Sequence, residues 1–265
     1  MRKKQIITLL ISIVLLGLFL RFYNLGKESL WLDEGATTLA VKYHGPFETL
    51  KIFYNVGQIL PEFYTNNPDL PTGNSDLPVY YFLLSVWVRA FSLNEFTLRA
   101  LSAIFGSVSI IITFLLAKEF FNEKVAILSS LLVSLNLTLI EYSQEARAYS
   151  LLLLLVLLSA YSLIKYVKSK KNIFLFYFII FNLLGVYTHY VFAYFVLFEA
   201  VFIYIANLEA IKGRKFKLDK LQISFLIVLL SYAPLMKRIF MQKLVTIAYT
   251  GKPADRKSTR LNSSH

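Results

Sequence analysis

Cysteine is absent from this 265-residue chain, which excludes disulfides, thiolate metal sites and cysteine nucleophiles. Charge is scarce as well: 17% of the residues are Asp, Glu, Lys or Arg, where a soluble domain carries about a quarter. What fills the gap is apolar. Hydrophobic residues make up 57% of the chain and aromatic ones 16%, a composition that does not suit a water-soluble globule. The net charge of +12 on its own would suit a nucleic-acid binder. The charges, however, fall in short clusters between long apolar runs, the pattern of a multi-pass membrane protein with basic cytoplasmic loops. No nucleic-acid partner is expected.

Residues 255–265 (DRKSTRLNSSH) match the in-frame translation of a common sequencing adapter and are set aside. The native chain is then expected to continue past Ala254, and 1–254 is read as the N-terminal part of one transmembrane domain. The basic balance survives without those residues.

Residues 5–20 form an apolar run led by Arg2, Lys3 and Lys4 and closed by Arg21. A signal peptide would need a small-residue cleavage site, but Phe22, Tyr23 and Leu25 follow, so the run is read as an uncleaved first span. Further runs lie at 98–117, 125–140, 148–167, 173–187, 191–208 and 221–240. The expected fold is therefore an all-α, polytopic membrane protein with about seven transmembrane helices. Residues 79–91 are also apolar, and whether they span sets the side of everything downstream. If they do not, four basic groups share one side: Arg2, Lys3, Lys4; Lys118, Lys124; Lys165, Lys168, Lys170, Lys171; and Lys212, Arg214, Lys215, Lys217, Lys220. If they do, the last three groups land outside, against the positive-inside rule. Residues 79–91 are accordingly read as an interfacial helix on the outer surface.

The same parity puts the first loop (21–97), the 141–149 turn and the His189 tip together on the extracytoplasmic side. The first loop reads as surface helices: a helix-compatible stretch up to His44, a break at Gly45-Pro46, a second stretch at 47–56, and a turn-rich crossing at 66–78.

Chemistry is expected on that side. Asp33 and Glu34 lie just beyond span one; a carboxylate at the membrane surface can take a proton from a hydroxyl, yet Asp33 can equally cap a helix while Glu34 complements its dipole. Both uses stay open. In 143–150 (SQEARAYS), Arg147 can bind a phosphate bidentately and Glu145 can orient it or a sugar hydroxyl, against the bland reading of a solvated pair. Arg99 opens an apolar span, where a guanidinium snorkels or finds an anion. His189, between aromatics, is either an interfacial residue or a phosphate or metal ligand. Glu199, inside a span, is either buried against a partner or near a cavity, and Asn136, although in a glycosylation-like triplet, lies inside an apolar run.

Four segments in this order, LWLDEG at 30–35, LPVYYFLL at 77–84, LRALSAIFG at 98–106 and YSQEARAYSLLLLL at 142–155, resemble the bacterial membrane glycosyltransferases of the GT-C superfamily, nearest to the protein O-mannosyltransferase and lipid A aminoarabinose transferase group. The resemblance implies an integral membrane glycosyltransferase of a bacterial or archaeal cytoplasmic membrane. Its donor is a polyprenyl-phosphate sugar, its acceptor an extracytoplasmic hydroxyl or phosphate, and it inverts the anomeric carbon. By resemblance Asp33 is the general base with Glu34 beside it, Arg99 and Arg147 meet the lipid phosphate, and Glu145 and His189 support them. No cofactor is firmly implied; a divalent metal is left open. Asp76-Leu77-Pro78 stands where many relatives have His-Pro-Pro, which departs from any role of that histidine. A transporter or lipid-linked sugar flippase, and a noncatalytic scaffold, are the alternatives from other classes; the former would place its ionisable groups at mid-membrane depth.

Overall fold

Asparagines start several of the helices. Asn94, Asn122 and Asn136 each adopt extended backbone and accept a hydrogen bond from a backbone N–H two or three residues on, satisfying donors that the first helical turn leaves unpaired. Asp219 and Gln222 do the same reciprocally as a capping box. In a chain this apolar the element interiors are helical by composition, and such caps set their boundaries.

The computed structural model describes residues 3–43, 45–48, 50, 77–211 and 219–237. Among these the fold is all-α. The helices are α1 (Lys3–Phe22), α2 (Leu32–Tyr43), α3 (Pro78–Phe91), α4 (Glu95–Phe120), α5 (Glu123–Leu135), α6 (Leu137–Ser143), α7 (Tyr149–Ser169), α8 (Asn172–Val186), α9 (Phe192–Ile211) and α10 (Lys220–Leu230). Most of the expected 47–56 helix and of the 66–78 crossing lies outside the described residues.

α4 is the central rod. It packs against α1, α3, α5, α6 and α7, while α8, α9 and α10 extend the bundle beyond α7. Its buried stripe is rich in small residues, Ser102, Ala103, Gly106, Ser107 and Ser109, which lets neighbouring backbones approach where lipid-like surroundings give no hydrophobic drive. At one end of α4, Arg99 meets the loop after α1 and Glu34, which in turn meets the turn before α7. At the other end Glu119 accepts from Lys165 at 3.1 Å and from Lys168 at 3.2 Å. The two ends of the bundle thus carry different chemistry, and the first loop and the 144–148 turn share one of them.

The outer surface of α1 and α9 is apolar: Leu15, Phe19, Tyr194, Phe198 and Val201 are among many exposed large side chains, a coat that water does not tolerate in a soluble protein. Among the described residues four helices are long and apolar enough to cross a membrane, Lys3–Phe22, Glu95–Phe120, Tyr149–Ser169 and Lys220–Lys237, and five if the bent pair of α5 and α6 counts as one. The expected number was about seven. Part of the difference comes from α8, which is apolar but short; its 15 residues reach about 22 Å at 1.5 Å per residue, against a hydrocarbon core of about 30 Å. α3, at 14 residues, also falls short of a crossing, in keeping with the charge pattern. It buries Tyr80, Tyr81, Leu84, Ser85 and Val88 against the protein.

Candidate functional site

The loop after α1 is shaped to present carbonyls. Asn24 takes a left-handed conformation (φ 57°), and Gly26 lies so close to Phe96 that a Cβ there would sit 3.0 Å from the Phe96 Cβ. The turn therefore closes onto the start of α4. It offers Arg99 the carbonyls of Leu25 (3.1 Å), Glu28 (2.9 Å) and Ser29 (3.2 Å).

α2 then opens with the acidic pair in its first turn. Glu34 turns inward and is fully buried. Its carboxylate accepts from Arg99 Nε at 2.9 Å and Arg99 Nη2 at 2.6 Å, a bidentate fork of the strong charge-assisted kind. It also accepts the Ala146 N–H at 2.8 Å. With Glu34 and three carbonyls, all five guanidinium N–H donors of Arg99 are engaged. These two residues clamp the first loop, α4 and the 144–148 turn into one unit. Arg99, expected at the lipid phosphate, has no donor left over for it in this arrangement, and Glu34 has no face toward solvent.

Asp33, one residue earlier and so about 100° round the helix, points elsewhere. Its side chain is 44% exposed and lies 3.9 Å from Arg147 Nη2. It does not cap α2; its backbone carbonyl accepts the Thr37 hydroxyl. Arg147 is mostly buried and also donates toward Thr37 Oγ1 at 3.5 Å and the Tyr81 hydroxyl at 3.4 Å. Its own carbonyl is fixed by Ser102 at 3.1 Å, which in turn meets the Tyr80 hydroxyl at 2.9 Å. Glu145, half-buried on the same turn, is pushed above the ordinary carboxylate range by burial first and by the Glu34 charge second.

Thus the structure brings Asp33, Glu34, Arg99, Glu145 and Arg147 together. His189 sits at the tip after α8, stacked on Tyr190 at 4.5 Å and 5.8 Å from Tyr149, with Nδ1 accepting the Val191 N–H. The sequence reading missed Thr37, Tyr81 and Gln144. Gln144 donates to the Leu20 and Tyr23 carbonyls, both at 3.1 Å, and so caps the end of α1. Its place within SQEARAYS was the available signal. Among the described residues no three His, Asp or Glu side chains converge as a metal site would need.

Beside this cluster an apolar cavity of about 260 Å³ opens between α3, α7 and α8, lined by Leu50, Val79, Phe82, Leu83, Leu151, Leu155 and Leu184. Leu151 lies in the first turn of α7, four residues after Arg147.

Residues 70–236 match the family described as dolichyl-phosphate-mannose-protein mannosyltransferase. The stretch includes Arg99, Glu145, Arg147 and His189; Asp33 and Glu34 precede it. An uncharacterised protein of Aquifex aeolicus (strain VF5) is 27% identical over 156 residues, covering 58% of this chain. The alignment spans 29% of that protein's length.

Proposed function

The chain belongs to the dolichyl-phosphate-mannose-protein mannosyltransferase family, and from that premise we propose that the protein is a membrane glycosyltransferase which takes its sugar from a polyprenyl-phosphate donor. The acceptor is an extracytoplasmic hydroxyl or phosphate, and the membrane is the cytoplasmic one, with the basic loops inside.

The observation that carries this reading is the solvent-facing Asp33 carboxylate 3.9 Å from Arg147, held on a clamped floor beside an apolar cavity. In the proposed reaction an acceptor O–H gives its proton to Asp33 while its oxygen bonds to the anomeric carbon. The bond from that carbon to the phosphate oxygen breaks, and its electrons stay on the leaving polyprenyl phosphate. Attack opposite the leaving group inverts the centre. A phosphate leaves without a strong acid, and Arg147 offers it positive charge. The isoprenoid tail suits the leucine-lined cavity. Glu145 orients Arg147 or a sugar hydroxyl, and His189 borders the site on its aromatic side. Arg99 and Glu34 act as positioning residues: they hold Asp33 and Arg147 in register without touching the phosphate.

Replacing Asp33 by Asn in the full-length protein should lower transfer from a radiolabelled polyprenyl-phosphate sugar about 10²- to 10⁴-fold, the range for a positioned general base. Membrane insertion should be unchanged, because Asp33 is half exposed. Near-normal turnover in that variant would remove Asp33 from the role.

A further inference from the structure

α7, α8 and α9 are almost wholly apolar, yet each turns one polar side chain into the same interior spot. Ser159, Asn182 and Glu199 are 0%, 0% and 2% exposed. Glu199 lies about 10 Å along α9 from its first residue, well inside the apolar length. The Ser159 hydroxyl donates to Glu199 Oε1 at 2.6 Å; Asn182 Nδ2 donates to Ser159 Oγ at 2.6 Å and to the Phe178 carbonyl at 3.0 Å. Tyr232, after α10, joins them. The Tyr187 hydroxyl holds the Ser231 carbonyl at 2.9 Å, and Glu199 is near enough for its charge to act on the Tyr232 hydroxyl.

Three atoms of this cluster are left over. Glu199 Oε2, Asn182 Oδ1 and the Tyr232 hydroxyl are buried without a hydrogen-bond partner; among the described residues only Arg21 Nε shares that condition. Buried polar atoms normally find partners. The Tyr232 O–H donates to neither acceptor. One small body held between the three atoms would satisfy them together. The free ligands are all oxygens, and the one charge among them is a single carboxylate with no ion-pair partner. Oxygen-only coordination selects a hard cation over a transition metal. A divalent ion would leave a net positive charge in an apolar interior, whereas a monovalent one balances Glu199.

The geometry points to a sodium-ion site buried among α7, α8, α9 and the 231–237 segment, with Glu199 Oε2, Asn182 Oδ1 and the Tyr232 hydroxyl as ligands and Ser159 orienting the carboxylate. The ion joins four segments of the bundle. The site stands independently of the transfer reaction.

The test is the melting temperature of the purified full-length protein in detergent, with sodium chloride exchanged for N-methyl-D-glucamine chloride at constant ionic strength. The buffer is held near pH 8, where an ordinary carboxylate is ionised. Wild-type protein should melt higher as sodium rises, and the effect should saturate as ligand linkage requires. Glu199→Gln should lose the sodium response. Tyr232→Phe removes one hydroxyl and keeps the ring, so it should raise the half-saturating sodium concentration about tenfold, the low end of the loss when a metal site loses a supporting group. Absence of a sodium response in wild type would overturn the site, as would an equal response in Glu199→Gln, leaving a water on a protonated carboxyl. Should Glu199→Gln fail to fold, an unchanged half-saturation in Tyr232→Phe overturns it by itself.

Discussion

Glu34 and Arg99 are buried together with every strong donor and acceptor between them satisfied. Such a pair is costly to break from one side, because the partner left behind is an uncompensated buried charge. Arg99→Ala or Glu34→Ala should therefore cost about 3–5 kcal/mol in thermal or denaturant unfolding of the detergent-solubilised protein. The two single losses should not add in the double variant. A loss below about 1 kcal/mol would mark the pair as a screened surface bridge instead. Asp33 is the contrasting case. Half exposed and 3.9 Å from its cation, it contributes little to the fold. In the sequence the two acids form one motif with two open readings. The helix separates the two acids, because neighbours in α2 point about 100° apart.

At the scale of elements, the instructive feature is the 60° bend between α5 and α6. The run 125–140 reads as one continuous apolar helix, and nothing in its hydropathy marks a break. Asn136 makes it: its side chain caps α6 through the Leu139 N–H. The orphaned end of α5 is met by Arg21, which donates to the Val133 carbonyl at 3.1 Å and the Ser134 carbonyl at 3.3 Å. A cation at a helix C-terminus is favoured by the dipole as well as by the free carbonyls. Gly106 makes room for this. A Cβ there would collide with the Ser143 hydroxyl and lie 3.0 Å from Arg21 Nε. Gly106→Ala should accordingly destabilise by about 1–3 kcal/mol, as overpacking does, in the same unfolding measurement. Gly35→Ala, where nothing lies within 4 Å, should not. Equal tolerance at both positions would mean that the α4–α6 contact is looser than the structure has it.

For the whole molecule, the decisive property is that α1's end, the start of α4 and the turn before α7 lie at one end of the bundle, with Glu119, Lys165 and Lys168 at the other. No cysteine occurs among these 265 residues, so within them an introduced cysteine stands alone as a labelling site. In intact cells a membrane-impermeant maleimide should label Lys27→Cys and Tyr142→Cys alike, and Lys168→Cys only after permeabilisation. Labelling of Lys27→Cys and Tyr142→Cys from opposite sides would separate the two halves of the site and end the glycosyltransferase reading of this cluster.

The sequence by itself determined the class: too few charges for a soluble surface, apolar runs of near-spanning length, and basic clusters whose spacing alternates with them. It also singled out the acids and guanidinium groups that meet in space, because those residue types are expensive beside lipid and so stand out against an apolar background. Which of them bind each other, and which face outward, was decided only in three dimensions. Hydrogen-bond saturation is a property of all neighbours at once: the donors of Arg99 are occupied by carbonyls some seventy positions away. The polar cluster around Glu199 depends in the same way on contacts between helices. No local pattern in the chain records those contacts.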